Sequence, residues 1–415
     1  MNNFKEIVLD NGLKVQLFNN NKKNRTIGSI YINCGGLDNH FIYDGKEYTQ
    51  PYGVAHFLEH YLIEKSIYGN IGEYFDDEYI NSNGITGGIE TEYFISTVHD
   101  FEENFKKLLR IVNCPQFDEE KIEDVKNPII SEIHRKQDNP DFRYDVYIDS
   151  CINDRRLHGV TLGEPEDIKK MTIDDLKLFH DAFYQPSNQT IVIVGNFDED
   201  SIIKLIEEEY NSYNREYKKT IRDEIKDNLI VKDKKGTYID KDLKECINLI
   251  YKFDVSSLTP REKNLLWFFT DYVLSSNYSE RSGFFTVIKN KGISIYSPSY
   301  NSSYSLDKNI YIIEIKLNTT NYDAAVELLK NHVNELVFDR EEYHNFVNNI
   351  IISFINRYES IYRIADRFHT NSIDIGYEHF DTIEDIKNFD FDECKALFDK
   401  LDFSNVCYVK RIKGE

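Results

Sequence analysis

The spacing of apolar and polar positions changes several times along the chain, and each change marks an element. Ile7-Val8-Leu9 and Leu13-Lys14-Val15 flank Asn11-Gly12, a pattern that predicts a tight hairpin. Thr26–Asn33 and Cys246–Phe253 alternate as strands, whereas Phe101–Val112 and Tyr322–Leu336 carry helical spacing. The run from Gly53 to Ile63, GVAHFLEHYLI, has too little polar surface for a solvent-facing helix and predicts one that is buried.

The pattern also repeats. Glu166–Lys177, EDIKKMTIDDLK, returns 218 residues further on as Glu384–Lys395, EDIKNFDFDECK. Each copy leads into a terminal strand, Thr190–Gly195 and Val406–Val409. In each half, strands come first, long helical runs follow, and a helix and strand close the unit. This predicts an α+β protein of two homologous domains, each a mainly antiparallel β-sheet packed with α-helices. The domains are expected at residues 1–212 and 236–415, joined by a charged linker at 213–235.

The buried helix of the first domain contains His56, Glu59 and His60. Four residues of helix bring both imidazoles onto one face, where they can grip one metal ion, and Glu59 lies on that face too. Zinc held by two histidines and one further ligand keeps an open position for water, lowers that water's pKa, and leaves a nearby carboxylate to take its proton. The spacing therefore predicts metal-assisted hydrolysis. A pair of merely packed core histidines would leave the carboxylate between them without a purpose.

On these residues the chain resembles the inverted-zincin (H-x-x-E-H) metallopeptidases of the insulinase, pitrilysin and mitochondrial processing peptidase family, in a short two-domain form. The resemblance runs from the first strand to about Asp198. Ile129-Ile130-Ser131-Glu132-Ile133, followed by Asp138-Asn139-Pro140, is similar to the family's second motif, with 71 residues separating Glu132 from His60. It implies that His56, His60 and Glu132 ligate one zinc per chain and that Glu59 is the general base. Asn83-Gly84-Ile85-Thr86, with Thr91 and Tyr93, resembles the family's edge strand near the active site, which implies that substrate adds there as an extended strand and that Gly84 permits close backbone approach. Gly163, Tyr184, Pro186, Asn188 and Gly195 match later landmarks. Two positions depart from the pattern. Val125 stands where many members have a second glutamate, with Glu123 and Asp124 as substitutes to examine, and Pro128 is expected to kink or restart the helix of Glu132, with Asn127 as a cap.

Composition narrows the partners. The 415 residues carry 72 acidic and 50 basic side chains, a formal charge of −22, which argues against nucleic acid. No window approaches a membrane span, and the N-terminal residues Met1 to Glu6 lack the apolar core of a signal peptide, so the expected location is the cytosol and no membrane is expected as partner. The six cysteines show no C-x-x-C spacing and read as reduced residues.

The second half resembles nothing catalytic. His332, His344, His369 and His379 have no ligand-like spacing. Where family second domains carry an arginine and a tyrosine for the substrate's carboxyl side, this chain has Ile288 and Ile295, and Tyr296 would substitute only by a one-residue slip that turns it to the other face. The resemblance thus implies a zinc metalloendopeptidase for peptides or peptide precursors, the catalytic half of a heterodimer whose homologous, non-catalytic partner keeps the missing pair. A homodimer is the runner-up. The alternative is a non-catalytic assembly or peptide-binding subunit of the same family.

Overall fold

A computed structural model of the chain describes residues 4–153, 159–213, 215–224, 228–231, 234–241, 244–275, 296–332, 338–357, 359–372 and 383–414. They form two units, each with a mainly antiparallel sheet and helices against it.

The first unit holds strands β1 (Phe4–Val8), β2 (Lys14–Asn19), β3 (Thr26–Ile32), β4 (His40–Tyr43), β5 (Lys46–Thr49), β6 (Asn81–Thr86), β7 (Thr91–Thr97), β8 (Gln189–Gly195) and β9 (Thr220–Arg222). Its main sheet runs in the order β1-β2-β8-β3-β7-β6, and β5-β4-β9 form a small second sheet. The β1–β2 hairpin turns at Gly12, whose φ of 84° suits glycine, and the Asn11 side chain accepts the Leu13 amide at 3.0 Å. In the main sheet only β2 and β8 are parallel, with Lys14 opposite Thr190. One sheet face packs on a core that includes Ile30, Tyr93, Ile95, Phe57, Leu58 and Phe105. The other face buries Phe18, Ile27, Tyr31, Val192 and Val194 against Ile361, Ile364 and Ala365 of the helix Ile361–Ser372. Two covered faces explain why β3 is buried along its whole length and β8 along nearly all of it.

The second unit holds β10 (Lys235–Asp240), β11 (Cys246–Asp254), β12 (Tyr296–Tyr304), β13 (Ile310–Asn318) and β14 (Val406–Lys413), in the order β10-β14-β11-β13-β12. β10 and β14 are parallel, as β2 and β8 are, and the remaining pairs are antiparallel, so the order repeats β2-β8-β3-β7-β6 strand for strand. The duplication seen in the sequence is a duplication of topology. Phe268 and Phe269 of the helix Pro260–Leu274 stack edge-on with Tyr343, Phe346, Phe389 and Phe391 in an aromatic core.

The units are not continuous in sequence. The first comprises Met1–Asp138, Leu157–Asp223 and Tyr358–Ser372, the second Asn139–Arg156, Glu224–Arg357 and Ile373–Glu415. The contiguous division at 212 and 236 therefore differs from the folded one by a helix in each direction. The helix Pro140–Ile152 lays Tyr144, Ile148 and Cys151 on Cys246, Ile250, Cys407 and Val409 of the second sheet, while Ile361–Ser372 covers the first. These two helices occupy matching places in the repeat. The expected linker is also partly structured: β9 pairs with β4, and the Arg222 guanidinium donates to both carboxylate oxygens of buried Asp38, at 2.6 and 2.8 Å.

No helix among the described residues is long and apolar enough to cross a membrane. All six cysteines are free.

Candidate metal centre

The helix Val54–Glu64 begins where the backbone must turn sharply. Gly53, its N-cap, sits at φ 85°, and a Cβ there would stand 2.6 Å from the carbonyl oxygen of Leu162. Gly163 meets the same contact from the other side, since its Cβ would lie 2.4 Å from the Tyr52 carbonyl oxygen. Only two glycines let these backbones touch, and the contact fixes the start of the helix. From there the helix is buried over most of its length, as its composition predicts: Val54, Ala55, Phe57, Leu58, Tyr61 and Leu62 fill the core, and His56 and Glu59 are buried with them.

The second element is the helix Ile122–Asp138, anchored by buried Ile122, Val125, Ile129 and Ile133. The expected restart at Pro128 does not occur: the helix runs through it unbroken. Pro128 and Asp124 are exposed, so water can meet the Asp124 carbonyl that the proline leaves without a helical partner, and the Ser131 hydroxyl donates to the Asn127 carbonyl at 2.8 Å. Asn139 instead caps the next helix, accepting the amides of Asp141 and Phe142, with Pro140 in the first turn.

Together the two helices bring His56, His60 and Glu132 to one point. Glu132 Oε2 lies 3.7 Å from His56 Nε2 and 3.4 Å from His60 Nε2, and the imidazole rings meet edge-on with centroids 4.7 Å apart. Ligand atoms around tetrahedral zinc, each about 2.0–2.2 Å from the ion, stand roughly 3.4 Å from one another. Both Glu132–imidazole distances are close to that spacing. Glu59 is close as well, its Oε2 4.0 Å from His56 Nε2, and the ligand atoms of His56, Glu59 and His60 all lie within 4.8 Å of one another. Glu132 is nevertheless the better third ligand, being nearer to both imidazoles, whereas Glu59 Oε2 accepts a 3.1 Å hydrogen bond from the Thr86 hydroxyl.

Electrostatics separates the two histidines. Burial, reinforced by the charges of His60 and Lys136, pushes His56 down to about 3, so its imidazole is neutral and its lone pair available to a metal. Burial opposes charge on His60 too, but the Glu64 hydrogen bond and the charges of Glu59, Glu64 and Glu132 outweigh it and raise its pKa. Burial likewise raises the carboxyl of Glu59, against the pull of His60 and the Thr86 hydrogen bond. Without a cation, a buried cluster of carboxylates and imidazoles is costly, and this donor set is chemically that of a zinc site.

Glu64 is the functional candidate that the motif alone does not disclose. Its Oε1 lies 2.9 Å from His60 Nδ1, leaving Nε2 for the metal. The signal was present, since Glu64 follows His60 by four residues on one helix face. Glu123 and Asp124, the substitutes considered for the absent second glutamate, point elsewhere, to Lys126 and Lys65. Val125 itself is fully buried in the core.

The edge strand faces the site differently from expectation. Among the described residues, β6 ends the main sheet and pairs with β7 alone, with Gly84 opposite Tyr93 and Thr86 opposite Thr91. Asn83 and Ile85 are exposed, while Gly84 and Thr86 turn toward the helix of Glu59. A Cβ at Gly84 would meet Glu59 Oε1 at 2.6 Å and Ile63 Cδ1 at 2.5 Å. The glycine makes room for the glutamate side chain, a reason its place in the sequence pattern did not reveal. Ile288 and Ile295 lie outside the described residues, as do His379 and the side chains of Tyr296, His332 and His369.

Comparison with known proteins finds zinc proteases among the sequence relatives and M16-like folds among the solved structures. Residues 170–348 match the family described as "Peptidase M16 inactive domain", a stretch that begins beyond Glu132. The chain is 34% identical over 205 residues to "Uncharacterized zinc protease YmfH" of Bacillus subtilis, across 48% of this chain and 47% of that one, so it spans about half the length of this relative. It is 27% identical over 346 residues to a zinc protease of Rickettsia bellii, across 80% and 78%. A crystal structure described as an M16-like peptidase from Alicyclobacillus acidocaldarius superposes with a TM-score of 0.84 at 22% identity, covering 99% of this chain and 98% of that one, which shows the fold. The homologues are thus named zinc proteases, and the α+β architecture is that of M16-like peptidases.

Proposed function

We propose that the chain is a zinc-dependent metalloendopeptidase that cleaves peptides or peptide precursors held in extended form. The observation that carries this reading is the convergence of Glu132 on both His56 and His60, at 3.7 and 3.4 Å, beside a buried carboxylate, Glu59, held by a separate hydrogen bond. Zinc, when bound by the two Nε2 atoms and Glu132, supplies a Lewis acid that polarises the scissile carbonyl and acidifies water. Glu59 takes one proton from the attacking water as its oxygen bonds to the carbonyl carbon. The same carboxyl then returns that proton to the amine nitrogen as the C–N bond breaks. Its burial, which raises its proton affinity, suits a group that must both accept and give.

The exposed edge of β6 supports binding of substrate as an added strand at Asn83, Gly84, Ile85 and Thr86, because its outward amides and carbonyls have no strand beyond them in the sheet. By the family resemblance, a homologous non-catalytic chain completes the chamber, with a homodimer as the alternative.

Turnover of a quenched peptide library, with and without chelator, tests the reading, together with zinc analysis of two variants. Glu59→Gln is expected to keep one zinc per chain and lose activity; Glu132→Ala is expected to lose both. A chain that holds zinc but cleaves nothing, alone or with a homologous partner, would instead be a peptide-binding or assembly subunit.

A further inference from the structure

The edge strand does more than border the site. Thr86 Oγ1 donates to Glu59 Oε2 at 3.1 Å, and the Glu59 side chain fills the space left by the missing Cβ of Gly84, whose ideal position is 2.6 Å from Glu59 Oε1 and 2.9 Å from Glu59 Cγ. One strand therefore touches the carboxylate from two residues on the same face of β6. His56 Nε2, at 4.0 Å from Glu59 Oε2, is too distant for a hydrogen bond. A free glutamate on a helix has three rotatable torsions, and something must choose among them. Thr86 is β-branched and stiff at χ1, and its backbone is fixed by pairing with Thr91, so its hydroxyl is a rigid donor.

We propose that Thr86 is a positioning residue for the hydrolysis: its hydroxyl holds Glu59 in the orientation from which the carboxylate reaches the attacking water, with Gly84 leaving the space that orientation needs. This inference rests on the peptidase reading and adds to it the group that aims the base. It gives Thr86 a role distinct from lining a substrate strand. If the residue served substrate binding, its loss would raise KM. If it aims Glu59, its loss lowers kcat and leaves KM and zinc in place.

The experiment is a mutant cycle in the full chain, assayed with whatever partner gives the wild type full activity. Thr86→Val removes the donor at nearly constant shape and is expected to lower kcat about 10- to 100-fold, the scale of a misaimed group. KM, bound zinc and melting temperature should stay near wild type. Thr86→Ser keeps a hydroxyl and should recover most of the rate. In the Glu59→Gln background, Thr86→Val should have no further effect on residual turnover, because the group it acts through has gone. Unchanged kcat in Thr86→Val, a rise confined to KM, or an equal loss in the Glu59→Gln background would each overturn the proposal. An inactive wild-type chain would overturn the peptidase reading itself, and the positioning role with it.

Discussion

Glu64 Oε1 stands 2.9 Å from His60 Nδ1, one helical turn beyond the histidine and on its own helix. A carboxylate there fixes the ring's orientation and keeps the Nδ1 proton away from the nitrogen that would meet a metal. The helix of Glu132 supplies no such partner at Val125, which is packed in the core. The amide in Glu64→Gln keeps the shape but not the charge, and zinc affinity is expected to fall about 10- to 100-fold. Competition against a chromogenic chelator measures this directly. An affinity within a factor of two of wild type would remove Glu64 from the site.

Gly84→Ala should act on rate more than on substrate affinity. Its added methyl would lie within 2.6 Å of both Glu59 Oε1 and Ile63 Cδ1, so the glutamate must leave its place. A fall in kcat of about 100-fold with zinc retained is the expected outcome. Steady-state kinetics showing only a raised KM would return this glycine to the role of admitting substrate backbone.

Docking of the expected linker makes a stability prediction. Asp38 is 3% exposed, and burial raises its carboxyl despite the Arg222 charge beside it. Arg222→Ala would strand that carboxylate and release β9 from β4, at a cost of about 3–5 kcal/mol. Urea unfolding checks the size. A loss below about 1 kcal/mol would mean that the pair is solvated and the strand held by other contacts.

His180 gives the chain an acid-sensitive core. It is fully buried, its Nε2 donates to the Val112 carbonyl at 2.9 Å, and burial, aided by Arg215, lowers its pKa to about 3. Unfolded, the same imidazole titrates near its ordinary 6.5. The unfolded chain therefore binds a proton that the native one refuses, and stability present above pH 6.5 is lost as pH falls from there toward 3, by about 1.4 kcal/mol per unit. His180→Gln keeps a donor and should flatten this limb by one proton in urea midpoints measured between pH 4 and 6.5. An unchanged slope would show that His180 is not the responsible group.

The partner proposal is tested by complementation. The chain alone is expected to bind zinc yet cleave peptides feebly, and a cognate homologue should raise activity by orders of magnitude through completed substrate positioning. Full activity of the isolated chain, whatever is added, would leave the heterodimer without support.

By itself the sequence determined the parts that depend on local periodicity. A helix places His56 and His60 on one face whatever surrounds it, and the repeat of Glu166–Lys177 at Glu384–Lys395 requires two copies of one topology, which the matching strand orders display. Tertiary structure decided what depends on choosing among partners. An amphipathic pattern says that Pro140–Ile152 and Ile361–Ser372 must bury a face but not which sheet will receive it, because apolar burial is non-directional. Each helix covers the sheet of the other half of the sequence. The same holds at the site. That Glu132 approaches both imidazoles and that Gly84 is open to Glu59 rather than to solvent are facts of distance between segments far apart in the chain or on different elements. Spacing can propose such contacts, but only packing fixes them, since close-packed side chains leave one arrangement that fits.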